Sequence, residues 1–136
     1  MVIAILSTAL MATPAEAKDE WNHPMPKSFY IDLARCETGN NTRHSTRSYV
    51  TAFGIYRRTW DYWNHTPNRK AHLLTFAQQA RGVDRIVFKG HTEAGKYRYP
   101  VGVYGFGSVR NNCNGLNDQL CKSKHPSVIK IRRCKR

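Results

Sequence analysis

The stretch RCETGNN, Arg35 to Asn41, sets a cysteine, a glutamate and a glycine at the end of a helical pattern. Upstream of it, SFYIDLARCETG reads as that helix. Ser28 is the expected N-cap, Asp32 lies in the early turns, and Phe29, Leu33 and Cys36 recur at helical spacing. Gly39 is the expected stop, because glycine enters the left-handed conformation that closes a helix without steric cost. Glu37 therefore falls in the last turn. There it faces the negative end of the helix macrodipole, which favours a carboxyl that keeps its proton. Such a carboxyl is a general acid of the kind that cleaves a glycosidic bond. Taken alone, the same features also describe an exposed glutamate near a helix end.

Length and composition set the frame. A chain of 136 residues, 40% of them apolar, suits one domain with a modest core and excludes general disorder. Residues 1–17 read as a signal peptide. VIAILSTALMA is an apolar run of the right length, and Ala15 and Ala17 form an A-x-A cleavage pattern. The run is too short to span a membrane, so no transmembrane anchor is expected. It departs from the usual pattern in having no lysine or arginine before it.

Cysteine usage agrees with export. Cys36, Cys113, Cys121 and Cys134 are an even count in a small chain, which predicts two disulfides with three pairings open. Cys121 and Cys134 lie close together in the tail and are expected to pair, which leaves Cys36 with Cys113. No Cys/His spacing marks a zinc site, and neither metal nor cofactor is expected. The 22 Lys and Arg outnumber the 9 Asp and Glu, for a formal net charge of +13. That imbalance points to an anionic partner. For an exported monomer the candidates are anionic cell-wall polymers, and no specific nucleic acid is expected. The bases are scattered apart from KIRRCKR in the tail, so a plain solubility role is the competing explanation.

Along the chain, residues 18–27 read as an irregular lead-in, since Pro24 and Pro26 oppose regular structure. After the first helix, polar turn material gives way to YVTAFGIY, whose residue types predict a strand or hairpin arm. RRTWDYWN predicts a helical turn. A long helix is expected next, with Thr66 as cap, Pro67 at its first position and Gly90 as its end. Leu73, Ala77, Ala80, Val83 or Asp84, and Val87 would trace its core face, and Gly82 is a mild weak point. The Gly- and Tyr-rich stretch before Cys113 predicts a loop and a short helix or turn carrying Tyr104 and Phe106. Two short helices pinned by Cys121 and Cys134 are expected in the tail. The fold class is thus α+β, mainly α, with a small hairpin after the first helix and a disulfide-pinned helical tail.

ARCETGNN, followed by YVTAFGIYRRTWD and ending at YGFGSVRNNC, resembles the lysozyme-like catalytic domain of resuscitation-promoting factors and related actinobacterial transglycosylases. In that family a helix ends in Cys-Glu-Ser-Gly, whose glutamate is the catalytic acid. A hairpin and a Thr-Trp pair follow, and a Gly-aromatic-Gly stretch leads to the partner cysteine. The likeness covers residues 28–113 and leaves residues 114–136 as a basic tail outside it. It implies a lysozyme-like fold, Glu37 as the acid, a Cys36–Cys113 bond and Thr59 beside Glu37 in a cleft. It also implies peptidoglycan glycan strands as substrate, cut between N-acetylmuramic acid and N-acetylglucosamine. The sequence departs from the family pattern at two places. Thr51, Ala52, Phe53, Gly54 and Ile55 replace Gly-Gly-aliphatic-Gln-Phe, which removes a cleft glutamine, and Thr42 stands where the family has a tryptophan.

No motif marks a second carboxylate. Asp61 and Asp84 read as solvated or salt-bridged acids, and Glu93 sits in a loop. A lone glutamate suits a lytic transglycosylase, in which one carboxyl serves as acid and then as base and the muramic 6-hydroxyl attacks internally. Among aromatic residues that could stack on sugars, Tyr49, Trp60 and Tyr104 are the candidates, with Trp63 and Phe106 as further ones. For Trp60 and Phe106, core packing is the better fit. His44, in the loop after Glu37, is a further candidate contact. Two other function classes fit the same sequence. One is a non-catalytic cationic wall-binding module, and the other a membrane- or nucleic-acid-active cationic protein.

Overall fold

A computed structural model of the chain describes residues 20–89 and 102–135. The expected signal peptide, Gly90 and Glu93 lie outside those residues. Helix α1, Lys27–Thr38, buries Phe29, Tyr30, Leu33 and Ala34 on one face. It starts two residues earlier than expected. Pro26 occupies the N-cap position with no side-chain hydrogen bond, so Ser28 is a helical residue and not the cap. Its C-terminus is as expected. Gly39 takes φ 67°, and the N–H groups of Gly39 and Asn40 return to the carbonyls of Arg35 and Ala34 at 3.1 and 3.0 Å.

The hairpin consists of β1, Tyr49–Val50, and β2, Ile55–Tyr56, paired antiparallel with Tyr49 opposite Tyr56 and Val50 opposite Ile55. Its turn is not a solvent-exposed tip. Thr51, Ala52 and Phe53 are fully buried, and the Phe53 ring lies against Tyr30 and Phe76. Gln79, itself fully buried, holds the turn in place. Its Oε1 accepts from Ala52 N–H at 2.8 Å, and its Nε2 donates to the carbonyls of Thr42 and Leu74. A buried amide satisfied on both sides fixes a loop more firmly than apolar contact alone, because leaving either group unpaired is costly.

The single long helix expected from Thr66 is instead broken. Helix α2, Arg57–Trp63, leads to a short α3, Asn68–Ala71, and α4 runs Phe76–Asp84 before widening into a π-helical turn, Arg85–Lys89. Pro67 is extended and caps α3 from outside it. The restart comes at Thr75, whose hydroxyl accepts from Gln78 N–H at 3.3 Å while Gln78 Oε1 accepts from Thr75 N–H at 2.9 Å. This reciprocal box satisfies two donors that a helix start leaves open. The break turns Leu73 out to 58% exposure, whereas Ala80, Val83 and Val87 are buried as expected.

Beyond the second described boundary, a 3-10 turn, Gly102–Gly105, precedes α5, Gly107–Arg110. A second such turn, Cys113–Gly115, then opens α6, Leu116–Lys122, and α7, Pro126–Ile129, follows. Both expected disulfides form, Cys36–Cys113 and Cys121–Cys134. One hydrophobic cluster joins all these parts. Met25 of the lead-in and Leu116, Leu120 and Val128 of the tail are buried in it, so neither segment is an appendage. The architecture is mainly helical with one small antiparallel sheet. No helix among the described residues is long and apolar enough to cross a membrane.

Candidate functional site

Three consecutive side chains at the end of α1 reach three different segments. Cys36 is bonded to Cys113, 77 residues on. Thr38 Oγ1 donates to the Ala52 carbonyl at 2.6 Å, tying the helix end to the hairpin turn. Between them, Glu37 Oε1 accepts from Ser108 Oγ, and the Ser108 N–H stands 3.4 Å from the same oxygen. The other carboxyl oxygen, Oε2, takes no hydrogen bond among the described residues. The glutamate is thus held by one oxygen on a stem fixed on both sides, and the second oxygen is free to meet a ligand.

Glu37 lines a cleft of about 480 Å³. One wall is the hairpin, where Tyr49 and Tyr56 face each other across the strands with ring centroids 5.9 Å apart. A second wall is α2, which presents Thr59 and Trp63. Those two are four residues apart and so share a helix face. Ile86, Val87 and Phe106 form the apolar floor, and Arg110 of α5 stands at the rim. Glu37 is the sole carboxylate among the described lining residues. Its neighbour at the hairpin is Gly54. A Cβ placed there would lie 4.0 Å from Glu37 Cβ and 3.6 Å from Thr38 Cγ2, so the surface beside the acid is bare backbone.

Of the residues expected to touch substrate, Tyr49 and Thr59 line this cleft with Glu37, and Trp60, Tyr104 and His44 do not. Trp60 follows Thr59 by about 100° around α2, which turns its indole into the core at 1% exposure, with Nε1 donating to the Thr66 carbonyl at 2.7 Å. Tyr104, in the turn before α5, is turned toward the tail. Its hydroxyl donates to Asn117 Oδ1 at 2.8 Å and accepts from Arg133 N–H at 2.6 Å, and the Arg133 guanidinium lies over its ring. His44 sits at the loop below the hairpin, where its carbonyl accepts from Thr51 N–H at 3.0 Å. Tyr56, Ser108 and Arg110 were not singled out by sequence. Tyr56 follows from hairpin register opposite Tyr49. Ser108 and Arg110 precede Cys113 closely, so a Cys36–Cys113 bond is the signal that brings them to Glu37.

No protein-family model, curated protein or solved structure matches the chain. The chemistry is therefore read from the residues in place.

Two further acids, Asp61 and Asp84, have partners of their own. Asp61 accepts from the N–H and side-chain amide of Asn68 at 2.7 and 2.5 Å. Asp84, expected to be solvated or salt-bridged, is buried and not solvated, and its carboxylate accepts from the Tyr30 hydroxyl and pairs with His23 Nδ1 at 2.5 Å. Burial pushes the Asp84 carboxyl above the usual carboxylate range, against the opposing pull of Tyr30, His23 and Arg81. Burial, then the neighbouring Asp84 charge, push the Tyr30 hydroxyl far up as well. Neither residue lines the Glu37 cleft. Among the described residues, no group of three or more His, Cys, Asp or Glu is arranged to hold a metal ion.

Proposed function

We propose that this chain is an exported enzyme with a lysozyme-like fold that cleaves peptidoglycan glycan strands, with Glu37 as its general acid and base. The observation that carries the reading is a single carboxyl, anchored through Oε1 by Ser108, in a cleft walled by Tyr49, Tyr56, Thr59 and Trp63. Tyrosine and tryptophan faces suit pyranose faces. The resemblance of the Cys-Glu-Thr-Gly and Thr-Trp segments to resuscitation-promoting factors points the same way.

In this scheme Glu37 gives its proton to the oxygen linking N-acetylmuramic acid to N-acetylglucosamine, and that bond breaks with the electron pair going to the leaving sugar. The carboxylate so formed takes a proton from the muramic 6-hydroxyl, which attacks C1 of its own ring. The products are a 1,6-anhydro end and a free sugar hydroxyl, and the acid is restored. No second carboxylate is needed, which agrees with Glu37 as the sole carboxylate among the described residues of the cleft. A water molecule in place of the 6-hydroxyl would give hydrolysis by the same proton transfers. The positive charge of the chain would concentrate it on anionic wall polymers.

Digestion of purified peptidoglycan followed by mass spectrometry tests this. The expected result is soluble muropeptides lighter by one water, lost with Glu37→Gln, whose rate falls at least ~100-fold because the amide has no proton to give. A Glu37→Gln protein that still clears a peptidoglycan zymogram overturns it. A second reading, a non-catalytic wall-binding module, is favoured by one feature. Gly54 leaves bare backbone beside Glu37 where the family has a glutamine. Retention on insoluble peptidoglycan with no soluble product from the unmodified chain would select that reading.

A further inference from the structure

We propose that Arg110 makes the cleft a reader of carboxylates, so that it selects glycans carrying a free carboxylate beside the bond that faces Glu37. The inference rests on the glycan-cleft reading above and goes beyond it by naming what the cleft discriminates. The chain carries 22 Lys and Arg, yet Arg110 is the single cation among the described residues that line this cleft.

The guanidinium is also held in one pose. Its Nη1 donates to the Tyr104 carbonyl at 2.6 Å and to the Gly105 carbonyl at 3.3 Å, and Nη2 folds back over Gly107. Arg110 makes no ion pair with Glu37 or with any other acid among the described residues. Nε and Nη2 therefore keep donors that no described protein group uses. A planar fork anchored by one arm and open on the other is suited to a carboxylate, which it can grip with two parallel bonds. Arg110 lines the same cleft as Glu37. A carboxylate gripped there would lie in the groove that presents the bond to Glu37. On a peptidoglycan strand that group is either the lactyl carboxylate of a muramic residue without its peptide or a carboxylate of the attached peptide.

The test measures binding separately from turnover. Peptide-free oligosaccharides of alternating N-acetylglucosamine and N-acetylmuramic acid are titrated into the full chain carrying Glu37→Gln. The same oligosaccharides with each lactyl carboxylate converted to its methylamide are the comparison, and peptide-bearing oligosaccharides are a third ligand. The free acid is expected to bind about tenfold more tightly than the methylamide, in keeping with a charge-assisted pair at a partly exposed site. Adding Arg110→Gln is expected to erase that difference by weakening the free acid alone, with methylamide affinity unchanged as the check on folding. Arg110→Lys should restore part of the preference. Peptide-bearing ligand that binds like the free acid assigns the peptide carboxylate, and ligand that binds like the methylamide assigns the lactyl group. Either supports the proposal.

Equal affinity for acid and methylamide, no binding of either, or a preference that survives Arg110→Gln overturns it. Cleavage by the unmodified chain separates the two readings. A binding preference without cleavage of any strand removes the enzyme and keeps the carboxylate site. Cleavage without a binding preference removes the site and keeps the enzyme.

Discussion

Ser108 donates its hydroxyl hydrogen bond to Glu37 across 71 residues of chain, from α5 to the last turn of α1. This contact joins the candidate acid to the segment that the Cys36–Cys113 bond brings beside it. The acid and its orienting partner are thus set by one covalent closure.

Replacing Ser108 by Ala is therefore expected to slow turnover and leave substrate affinity in place. A hydrogen bond to a charged group is worth about 1.5–3 kcal/mol, so kcat should fall roughly 10- to 100-fold with KM little changed. Ser108→Thr, which keeps the hydroxyl, should recover most of the rate. Steady-state kinetics on soluble glycan strands checks this. A parallel rise in KM, or no rescue by threonine, would show that Ser108 acts by another route.

The two disulfides are expected to differ in what they support. Cys36–Cys113 closes a separation of 77 residues and Cys121–Cys134 one of 13. In the chain-entropy model, removing the first costs about 4.5 kcal/mol and the second about 3 kcal/mol. Cys36→Ala/Cys113→Ala should also loosen Glu37 from Ser108 and abolish glycan cleavage. Neither Cys121 nor Cys134 lines the cleft, so Cys121→Ala/Cys134→Ala should lower stability while folded protein keeps its activity. Urea unfolding and activity assays on the two double variants measure both effects, and equal loss of activity in the two would overturn the distinction.

Local signals in the sequence carry as far as the local physics that produces them. Gly39 ends α1 because a left-handed residue is needed there, and the hairpin residues are β-branched or aromatic, so both are legible. The break between α3 and α4 is also written locally, in the Thr75-x-x-Gln78 box, but the apolar period running through Leu73 to Val87 overrides it on a simple reading. Other features depend on tertiary contact and have no local mark. The burial of Asp84 depends on Tyr30 and His23, more than fifty residues away. The same holds for the direction of Trp60, whose residue type favours the core but does not exclude the cleft. Thr59 and Trp63 face the cleft together, and that follows from helix geometry only once one of them is placed.

Gly82 shows how far a propensity argument can fall short. An alanine there would ordinarily strengthen a helix by about 1 kcal/mol. Its Cβ would instead lie 2.3 and 2.5 Å from the Trp60 ring and 3.1 Å from Asn64 Oδ1. Trp60 is buried and tethered to Thr66, so the indole cannot retreat. Gly82→Ala is expected to destabilise by about 1–3 kcal/mol, the usual range for overpacking. For a domain near this size that corresponds to a melting-point drop of at least ~4 °C. Combining it with Trp60→Phe should cost less than the sum of the two single changes, because the smaller ring makes room. Additive losses in calorimetry would show that the two side chains do not compete for space.

Asp84 supplies a pH dependence whose sign follows from its burial. Its folded-state pKa is raised above the ordinary carboxylate value, so the folded protein holds this proton where the unfolded chain has lost it. The stability it contributes is fully present below about pH 4, the unfolded value, and is lost as pH rises through the folded value. Asp84→Asn keeps an acceptor for the Tyr30 hydroxyl and removes the titration. Urea midpoints of both proteins, taken from pH 3 to pH 7, isolate the effect, since every other acid is common to the pair. The stability of the unmodified chain relative to Asp84→Asn is expected to fall as pH rises and then level off. A relative stability that rises with pH would mean that the bonds from Tyr30 and His23 outweigh burial and hold Asp84 ionised in the fold.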